Sequence, residues 1–546
     1  MQLDYWPETE AFTLNVTRGE ADVSALMKEH GLDFSIPLSN SKEAVLFTRE
    51  PYAAATFADV ATARAQRELA PITCAMASSW SEATSLHLDM PPDQELAGFQ
   101  GANVEYALGR KHTLLGDQPG LGKTPSAIVF SNEIRAKRNL VICPANIRLQ
   151  WAKRIREWTT LQWPYTIYPI LRGTHGVHPT ANWTLISYEL ARSEGIGKAL
   201  ARQHYDLLVL DECHYLKTYD SQRTRAIFGG GDDPRLFPPL AQQAERILAL
   251  SGTPLPNRPR EAYTIARALC FDSIDWLSEE RFRERFNPSY TGEKVDPETG
   301  KTKFFVDERS GRLGELQNRM RANFMVRHLK RDVLKQLKLP YYDIVDMEET
   351  GPVKQALKAE SLLGLDPENL DEADFFGGNI AAARKMMGVA LAPQVADYCA
   401  MLLDGGEEKI VVFAWHIEVL NILQHELEKY GVLRIDGSTS AKRKFDTVEV
   451  FVRDRKKRVM IGNLLSLGTG TDGLQAVCQH AVFAEPDWVA GNNEQAVDRL
   501  DRMGQSGTVL ADFCVAPGSI AATVLARALE KRKVTHLALD NRLILR

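Results

Sequence analysis

Short, uninterrupted apolar runs alternate with longer helical stretches along this 546-residue chain, and this alternation constrains the fold more than any other feature. Runs of this kind, when helices separate them, are typical of parallel strands buried on both faces of a sheet. The first group of runs lies at 113–115, 139–143, 183–187, 207–210 and 247–250. The second group lies at 410–413, 459–461 and 481–483. The sequence therefore predicts two α/β units, with breaks in the chain at 91–92, 229–234 and 288–300.

The composition is that of an ordinary globular protein, with 44% apolar and 25% charged residues, which excludes a disordered or fibrous chain. No uninterrupted apolar run approaches the roughly 18 residues of a membrane helix, and the acidic start of the chain lacks the order of a signal peptide. The seven cysteines are scattered without a CxxC pair. We therefore expect reduced thiols in a cytoplasmic protein, without a zinc site or a membrane partner. The compact set of domains would suit a bacterial or viral protein.

The net charge of −5 hides local imbalance. Residues 1–60 and 343–374 carry net charges of −6 and −8, whereas 135–158, 311–338 and 441–458 carry +6, +6 and +5. A single basic run is usually a solvated helix face. Three such runs in an acidic protein favour a localised track for a polyanion.

The strongest single motif is Gly116–Thr124, which lies between an apolar run and a predicted helix. Its glycines, among them Gly120 and Gly122, expose backbone N–H groups that can bind phosphates. Lys123 is then expected to reach the outer phosphates of a nucleotide, and Thr124 to place its hydroxyl on Mg²⁺. Asp117 stands where the usual GxxxxGKT pattern has its first glycine.

Asp211 and Glu212 directly follow the apolar run at 207–210. Adjacent carboxylates at the end of a strand lie at the edge of the sheet where α/β proteins bind ligands. Asp211 is expected to hold Mg²⁺, partly through water, and Glu212 to orient or deprotonate the attacking water. Alone, such a pair is also typical of a helix cap, but with the phosphate loop it predicts nucleotide hydrolysis.

Two further motifs complete the candidate site. Ser251 and Thr253 follow a third apolar run, and their hydroxyls can link a nucleotide site to the second unit. Arg499 and Arg502 are three residues apart, so on a helix they share one face, and guanidinium groups suit a transferring phosphate. Alone, these residues are better explained by a simple turn and by a set of surface ion pairs.

In this order, the motifs resemble those of the Swi/Snf-type ATPases of helicase superfamily two, over about residues 96–520. Within that family, residues 381–398 and 483–488 are similar to the annealing-helicase-like, fork-remodelling branch. The resemblance implies an α/β fold with two RecA-like lobes built on parallel sheets, a helical insertion and a small N-terminal accessory domain. The implied bounds are 1–90 for the accessory domain, 91–340 for lobe 1 with an insertion at about 258–338, 341–405 for an acidic connector, and 406–546 for lobe 2.

The resemblance also implies roles for single residues. Gln100 corresponds to the glutamine that recognises adenine, and Arg499 and Arg502 belong to the sixth motif. Gly470 and Gly473 lie in the glycine-rich fifth motif and join Ser251 and Thr253 in coupling, although Gln475 stands where asparagine is usual. The residues expected to contact DNA are Asn146, Arg148, Trp151, Arg327, Lys330, Arg331, His416, Ser438, Thr439 and Arg443.

The function implied by this resemblance is a DNA-dependent ATPase that binds ATP and Mg²⁺ between its lobes and translocates on double-stranded or forked DNA. Residues 1–90 then serve as a docking site for a protein partner, as an autoinhibitory segment or as a structural cap. Two alternatives stay open. One is a helicase that separates DNA or RNA strands, and the other is an ATP-gated factor that acts on a protein such as RNA polymerase.

Overall fold

The computed structural model contains two parallel sheets with helices around them, a small antiparallel sheet and a β-hairpin, which confirms the expected fold class. It describes residues 1–35, 38–229, 237–255, 258–295, 302–308, 310–334, 340–363, 378–468, 473–487, 490–502, 504–523 and 525–526.

The first 78 residues form an antiparallel sheet covered by helices, which we call the N-terminal unit together with the segment up to residue 90. Its elements are β1 (Gln2–Trp6), β2 (Ala11–Thr17), α1 (Val23–His30), β3 (Asp33–Phe34), β4 (Glu43–Thr48), α2 (Pro51–Ala54) and α3 (Ala63–Ser78). The strand order is β1-β2-β4-β3. Helix α1 begins where the Asp22 carboxylate accepts two backbone N–H bonds and ends at Gly31 in the left-handed conformation. Leu14, Leu46 and Leu69 belong to its own apolar core.

Lobe 1 is a series of strand and helix pairs. Its elements up to residue 250 are α4 (Gly98–Leu108), β5 (His112–Leu115), α5 (Lys123–Glu133), β6 (Asn139–Cys143), α6 (Arg148–Trp158), β7 (Ile167–Pro169), β8 (Trp183–Ser187), α7 (Tyr188–Ala191), α8 (Glu194–Ala201), β9 (Tyr205–Asp211), α9 (Gln222–Phe228) and β10 (Ala244–Leu250). In the parallel register, Leu250 pairs with Leu115 on one side and with Asp211 on the other. The loops after β5, β9 and β10 therefore leave the sheet at the same edge.

The insertion is helical, as expected, but it also contains a hairpin where the sequence predicted only a break in the chain. Its elements are α10 (Ala262–Leu269), α11 (Glu279–Phe286), β11 (Ser289–Val295), β12 (Thr302–Glu308), α12 (Leu313–Asn323), β13 (Met325–Val326) and α13 (Lys330–Val333). Strand β13 pairs in parallel with β5, which gives the sheet order β13-β5-β10-β9-β6-β8-β7. The end of the insertion is therefore the edge of the lobe-1 sheet, directly beside the phosphate loop.

Lobe 2 has a second parallel sheet. Its elements are β14 (Tyr341–Asp346), α14 (Gly351–Ser361), α15 (Gly378–Asp404), β15 (Ile410–Ala414), α16 (Ile417–Glu426), β16 (Val432–Ile435), α17 (Ala441–Arg453), β17 (Val459–Asn463), α18 (Leu464–Gly468), β18 (His480–Phe483), α19 (Ala490–Val497) and β19 (Leu510–Val515). The strand order is β14-β19-β18-β15-β17-β16, and every paired strand runs parallel to its neighbour.

Strand β14 corrects the predicted boundary of the connector at 341–405. It pairs with β19 over six residues, and Val353 of α14 and Leu391 of α15 lie in the lobe-2 core. The acidic composition is misleading because half of the ten acids in 343–374 fall in 364–377, outside the described residues. The described part of the connector therefore belongs to lobe 2.

Helix α15 contains a stretch, Ile380–Asp404, that is long and apolar enough to cross a membrane by length and composition alone, although charged residues interrupt it. A core helix of a globular domain meets the same criterion, and Val395, Cys399 and Leu403 of this helix pack in the lobe-2 core. We therefore treat it as a core helix. All seven cysteines are free, as expected, while the cytoplasmic location stays a prediction.

Candidate active site

The glycine-rich loop at 116–122 connects β5 to α5 at the carboxyl edge of the lobe-1 sheet. Gly120 and Gly122 have φ values of +85° and +73°, left-handed conformations that glycine adopts without strain. Gly122 is the residue just before α5, so the N–H groups of the first helical turn face an anion site. Lys123 folds back over the loop, where its Nζ donates to the main-chain oxygen of Asp117 at 2.7 Å, and Thr124 follows it, half-buried.

The two carboxylates lie at the end of β9, beside this loop. Asp211 Oδ2 accepts a hydrogen bond from the Trp151 indole Nε1 at 2.7 Å, and its Oδ1 accepts one from Glu212 N at 3.0 Å. Glu212 has a φ of +54°, which is uncommon for a residue other than glycine and is frequent at functional sites. Its Oε2 lies 3.3 Å from Nδ1 of His214.

Burial and neighbouring charges shift the pKa values of the two carboxyl groups, Asp211 and Glu212. Burial raises the pKa of Asp211, and the adjacent charge of Glu212 raises it further. Burial also acts to raise the pKa of Glu212, but His214 and the positive charges of Lys123 and Arg499 hold that pKa below its usual range. The carboxylate expected to act on the water is therefore the one that is most firmly ionised.

The turn after β10 contacts both preceding motifs. Ser251 Oγ lies 3.2 Å from His214 Nδ1 and accepts the N–H of Thr253 at 3.2 Å. A Cβ atom added to Gly252 would approach Pro119 of the phosphate loop to 2.4 Å, so the turn packs directly on the loop. His214 therefore contacts both the Glu212 carboxylate and the Ser251 hydroxyl, which is the geometry that a coupling role needs.

The glycine-rich segment of lobe 2 is described only in part. Gly473 has a φ of +106° and precedes a short helical turn at Leu474–Ala476. Gly470, the other coupling residue expected there, lies outside the described residues.

The two arginines of lobe 2 reach this site from the other side, but not as the sequence predicted. Helix α19 ends at Val497, and the backbone N–H bonds of Arg499 and Arg502 span three and two residues instead of four. The arginines therefore lie in the turn after the helix and do not share a helix face. Arg499 is close enough for its charge to lower the pKa of Glu212, and Arg502 packs against Gly120, whose added Cβ would lie 2.6 Å from that of Arg502.

Two residues of α6 that were expected to contact DNA are buried instead. Trp151 is 2% exposed and holds the Asp211 carboxylate through its indole N–H. Arg148 is 9% exposed, and its guanidinium donates to the main-chain oxygens of Ala145 and Ile170 at 2.8 and 2.5 Å. The prediction of DNA contact is wrong for both, because these side chains turn into the lobe and not onto its surface.

The basic window at 311–338 needs the same correction. Arg327 is 2% exposed and donates to the main-chain oxygens of Gly116 and Gly252. Lys330 is 5% exposed, and its Nζ lies 2.5 Å from Asp498 Oδ1 and 2.7 Å from Asp501 Oδ2 of lobe 2. Arg327 thus pairs with acceptors of its own lobe and Lys330 with carboxylates of lobe 2 across the cleft, so neither side chain lines a DNA track. Their neighbour Arg331 is half-buried, with its Nε 3.5 Å from Asp332 Oδ1, and its contact with DNA stays a prediction.

The remaining residues expected to contact DNA lie at or near the surface. Ser438 and Arg443 are exposed, and Asn146 and Thr439 are half-buried. His416 is half-buried, with Nδ1 at 2.6 Å from Glu485 Oε1. For these residues, contact with DNA stays a prediction.

Gln100 lies against the phosphate loop. Its Oε1 accepts the N–H of Ala97 and its Nε2 donates to the main-chain oxygen of Leu121, both at 2.9 Å. The buried amide thus ties the start of α4 to the loop, and the expected contact with adenine stays a prediction.

Sequence reasoning missed three residues that support the site. Tyr188 donates its hydroxyl to the main-chain oxygen of Asp211 at 2.8 Å, and nothing in the sequence distinguishes it from an ordinary core tyrosine. Asp117 and His328 form a buried pair beneath the loop, with Nδ1 and Oδ1 3.0 Å apart. Here a signal was available, because Asp117 interrupts the glycine pattern and His328 lies in a motif rich in arginine and lysine.

Two protein-family models match this chain. The model of the SNF2-related domain matches residues 99–350, and that of the helicase conserved C-terminal domain matches residues 394–504. The SWI2/SNF2 ATPase core of Sulfolobus solfataricus in complex with dsDNA is a similar solved structure, with 16% identity and a TM-score of 0.36. The match covers 82% of this chain and 95% of that chain.

Two curated relatives illustrate the similarity. The DNA annealing helicase and endonuclease ZRANB3 of Bos taurus is 27% identical over 492 residues, which cover 87% of this chain and 43% of the relative. The SWI/SNF-related matrix-associated actin-dependent regulator of chromatin subfamily A-like protein 1 of Xenopus laevis is 29% identical over 462 residues, which cover 82% of this chain and 44% of the relative. This chain thus spans less than half the length of either relative. Because the two domain models match in chain order, one on each lobe, this chain belongs to the SNF2-related family of helicase superfamily two ATPases.

Proposed function

We propose that this chain hydrolyses ATP between its two lobes and uses the cycle to move along double-stranded or forked DNA. One observation carries the proposal: Lys123 and Glu212 of lobe 1 lie at one glycine-rich loop, Arg502 of lobe 2 packs on that loop, and Arg499 is near enough to Glu212 for its charge to lower the pKa of that carboxyl group. When a second lobe supplies guanidinium groups to a phosphate site, hydrolysis depends on closure of the lobes. Chemistry in the cleft is thereby linked to relative movement of the lobes.

Each residue of the cleft has a chemical task in this proposal. Lys123 and the N–H groups of the loop bind the phosphates, and Glu212, held ionised, orients the attacking water and accepts its proton. Thr124 and Asp211 fit Mg²⁺, because hydroxyl and carboxylate oxygens are the protein ligands it prefers and Asp211 is already fixed by Trp151. When bound, Mg²⁺ supplies positive charge against the phosphate oxygens.

Exposed polar and basic side chains beside a contact between the lobes support DNA as the polymer. Lys153 of α6 lies 5.6 Å from the ring centroid of Phe445 in α17, so these two helices approach each other across the lobes. Arg443 and Ser438 are exposed at the start of α17 and just before it, where they can reach a phosphate backbone. Such contacts bind DNA without reading its sequence. The name of the relative ZRANB3, a DNA annealing helicase, points to the same substrate.

ATP turnover measured with no nucleic acid, single strands, blunt duplex, forked DNA and duplex RNA tests the proposal, with Lys123→Ala as the inactive control. We expect duplex or forked DNA to stimulate turnover most, together with displacement of a third strand from a triplex and no separation of a plain duplex. Duplex separation would instead identify a strand-separating helicase. Turnover that is indifferent to every nucleic acid would favour an ATP-gated factor for a protein partner.

A further inference from the structure

The first half of the phosphate loop, residues 116–118, is bonded to the segment that ends the insertion. Three backbone N–H groups, in β5 and in the loop, donate to alternate main-chain oxygens of this segment. The pairs are Leu114 to Phe324, Gly116 to Val326 and Gln118 to His328, at 2.7, 2.8 and 3.1 Å. The Gln118 side chain returns a bond, accepting from Lys330 N at 2.7 Å. Residues 324–330 therefore hold the backbone of this part of the loop in place.

A buried ion pair fixes this contact at its centre. Asp117 Oδ1 accepts from His328 N at 2.8 Å and faces His328 Nδ1 at 3.0 Å, while Asp117 Oδ2 accepts from Asn103 at 2.5 Å. The opposite ring nitrogen, His328 Nε2, lies 2.8 Å from the main-chain oxygen of Ser81. Because a carboxylate and a carbonyl only accept hydrogen bonds, both contacts are hydrogen bonds only when both ring nitrogens donate, that is, when His328 is an imidazolium.

Residues 79–81 of the N-terminal unit hold this imidazolium from outside lobe 1. The guanidinium of Arg321 stacks on Trp80 at 3.3 Å and donates to the main-chain oxygen of Ser79 at 3.3 Å. Helix α12, which carries Arg321, is buried at all eight residues from Gly314 to Arg321. The N-terminal unit is therefore packed onto the support of the phosphate loop and is not a loosely attached module.

From these contacts we propose that His328 is a positioning residue for the phosphate loop, and that residues 79–81 orient it, which makes the N-terminal unit part of the nucleotide-binding apparatus. This inference rests on the proposed ATPase function and deepens it. The path is short: Ser81 holds the ring, the ring holds the Asp117 carboxylate, and the main-chain oxygen of Asp117 receives Lys123 Nζ.

The pair also predicts how nucleotide affinity changes with pH. The charged groups that face His328 are Asp117 from the loop and Arg321 from α12, while Phe99 of α4 presents an apolar ring. Burial and Arg321 lower the pKa of His328, but Asp117 and Ser81 outweigh them and raise it above its ordinary value. The hydrogen bonds from the His328 ring to Asp117 and Ser81 are therefore both present at lower pH, and one is lost as the pH rises through that raised pKa. Affinity for ATP should then fall at pH values above that pKa.

The first test compares His328→Gln and His328→Arg, since arginine keeps a cation that donates in two directions and does not titrate. His480→Gln is the matched control, because His480 is a buried lobe-2 histidine whose Nε2 lies 2.5 Å from Asp512 Oδ2. Affinity for a fluorescent ATP analogue is measured from about pH 6 to pH 9 on the full chain, with KM and kcat for ATP and thermal melting beside it.

We expect His328→Gln to weaken analogue binding and raise KM about tenfold, with a smaller change in kcat and no pH dependence. His328→Arg should bind like the wild type at neutral pH, also without pH dependence, and His480→Gln should lose stability only. Wild-type binding and an unchanged pH profile in His328→Gln would overturn the inference. If His328→Gln does not fold, Asp117→Asn, which keeps an acceptor for His328 N, makes the same prediction. A wild-type chain that binds the analogue without turning over ATP contradicts the proposed function and leaves the inference testable by binding.

The second test concerns the N-terminal unit and compares Trp80→Ala with Trp6→Ala. Both indoles lie under an arginine guanidinium, Trp80 under Arg321 and Trp6 under Arg64 at 4.9 Å, but only Trp80 borders Ser79 and Ser81. We expect Trp80→Ala to weaken analogue binding several-fold and Trp6→Ala to leave it unchanged. Equal affinities in the two variants would show that the N-terminal unit does not position the loop.

Discussion

At the scale of single residues, Asp211 is fixed by hydrogen bonds from several parts of lobe 1. Trp151 and Glu212 N bond its carboxylate, and the Tyr188 hydroxyl bonds its main-chain oxygen. These donors come from three different parts of the chain and fix the carboxylate before any ligand arrives. Ligand geometry of this kind, set by neighbouring donors, commonly decides metal affinity.

Replacement of Glu212 with glutamine tests the division of roles between the two carboxylates. An amide cannot take the proton of the attacking water, so we expect turnover to fall about 10²-fold or more while ATP still binds. The measurements are affinity for a fluorescent ATP analogue and steady-state hydrolysis with duplex DNA. Glu194→Gln, on the exposed face of α8, is the control. Normal turnover with weakened binding would mean that the roles are wrongly assigned.

Trp151→Phe tests the corrected role of the buried indole. Phenylalanine keeps most of the core volume but removes the N–H that fixes Asp211, so we expect the Mg²⁺ requirement for hydrolysis to rise about tenfold. Affinity for duplex DNA should stay at the wild-type value, because the side chain is buried. Reduced DNA affinity at an unchanged Mg²⁺ requirement would instead assign Trp151 to the DNA surface.

The sequence predicted those site residues whose chemistry is local and failed for those whose role depends on packing. Lys123 and Glu212 stand in short motifs beside a strand end, and the fold brings them together as expected. Trp151 and Asp211 are 60 residues apart, and Arg327 and Gly116 are 211 apart. No local pattern shows whether such a cation or indole turns inward, so charge alone suggested a DNA surface for residues that support the site.

At the scale of elements, α12 is unusual because a polar helix is buried on every side. Arg319 bonds Glu315 at 2.8 Å, Glu50 at 2.5 Å and Asp275 at 2.6 Å. Arg285 joins the same cluster through Glu50 at 3.0 Å. Buried charges of this kind are tolerated only when they are paired, so the cluster fixes how the N-terminal unit sits on lobe 1.

Arg319→Met tests this cluster. Methionine keeps the alkyl stem of Arg319 but removes the guanidinium that pairs with the buried Glu315 carboxylate. We therefore expect the free energy of unfolding to fall by about 3–5 kcal/mol. Urea denaturation followed by fluorescence gives the free energy of unfolding. Lys198→Met removes the exposed partner of Glu194 in α8 and should change that energy by less than about 0.5 kcal/mol. Similar changes in the two variants would show that the cluster contributes no more than a surface pair.

Elements were predictable where the sequence shows a continuous apolar run. Strands β6 and β8 are buried at every position, and their runs are evident. Strand β14 has no fully buried residue and β13 has only two residues, so neither leaves a hydrophobic pattern. Both are held by pairing with distant strands, β19 and β5, which a reading of local periodicity does not detect.

At the scale of the whole molecule, some lysine and arginine side chains of the described residues join the two lobes, and others are exposed to solvent. Lys330 joins the insertion of lobe 1 to Asp498 and Asp501 in the turn that carries the two arginines. Among the described bases of the window at 311–338, Arg319, Arg321, Arg327 and Lys330 are all buried inside the protein. The window at 441–458 is different, since Lys442 and Arg443 are exposed on α17.

The DNA track is best tested within that exposed window. Lys442→Gln with Arg443→Gln removes two charges at the start of α17, near the interlobe contact of Lys153 with Phe445. We expect weaker binding to all duplex sequences and a shallower salt dependence of affinity, by about one log–log unit for each phosphate that the variant no longer binds. Affinity for the ATP analogue should not change, because the phosphate loop belongs to lobe 1.

The same window provides a matched control. Arg455 and Lys456 are equally exposed but lie between the end of α17 and the start of β17, at the amino edge of the lobe-2 sheet and away from the cleft. Their double replacement with glutamine removes the same charge and should leave the salt slope nearly unchanged. If the two double variants weaken binding equally, DNA is attracted by net charge alone. An unchanged slope in both would place the DNA elsewhere on the molecule, because an exposed cation that binds phosphate must release counterions.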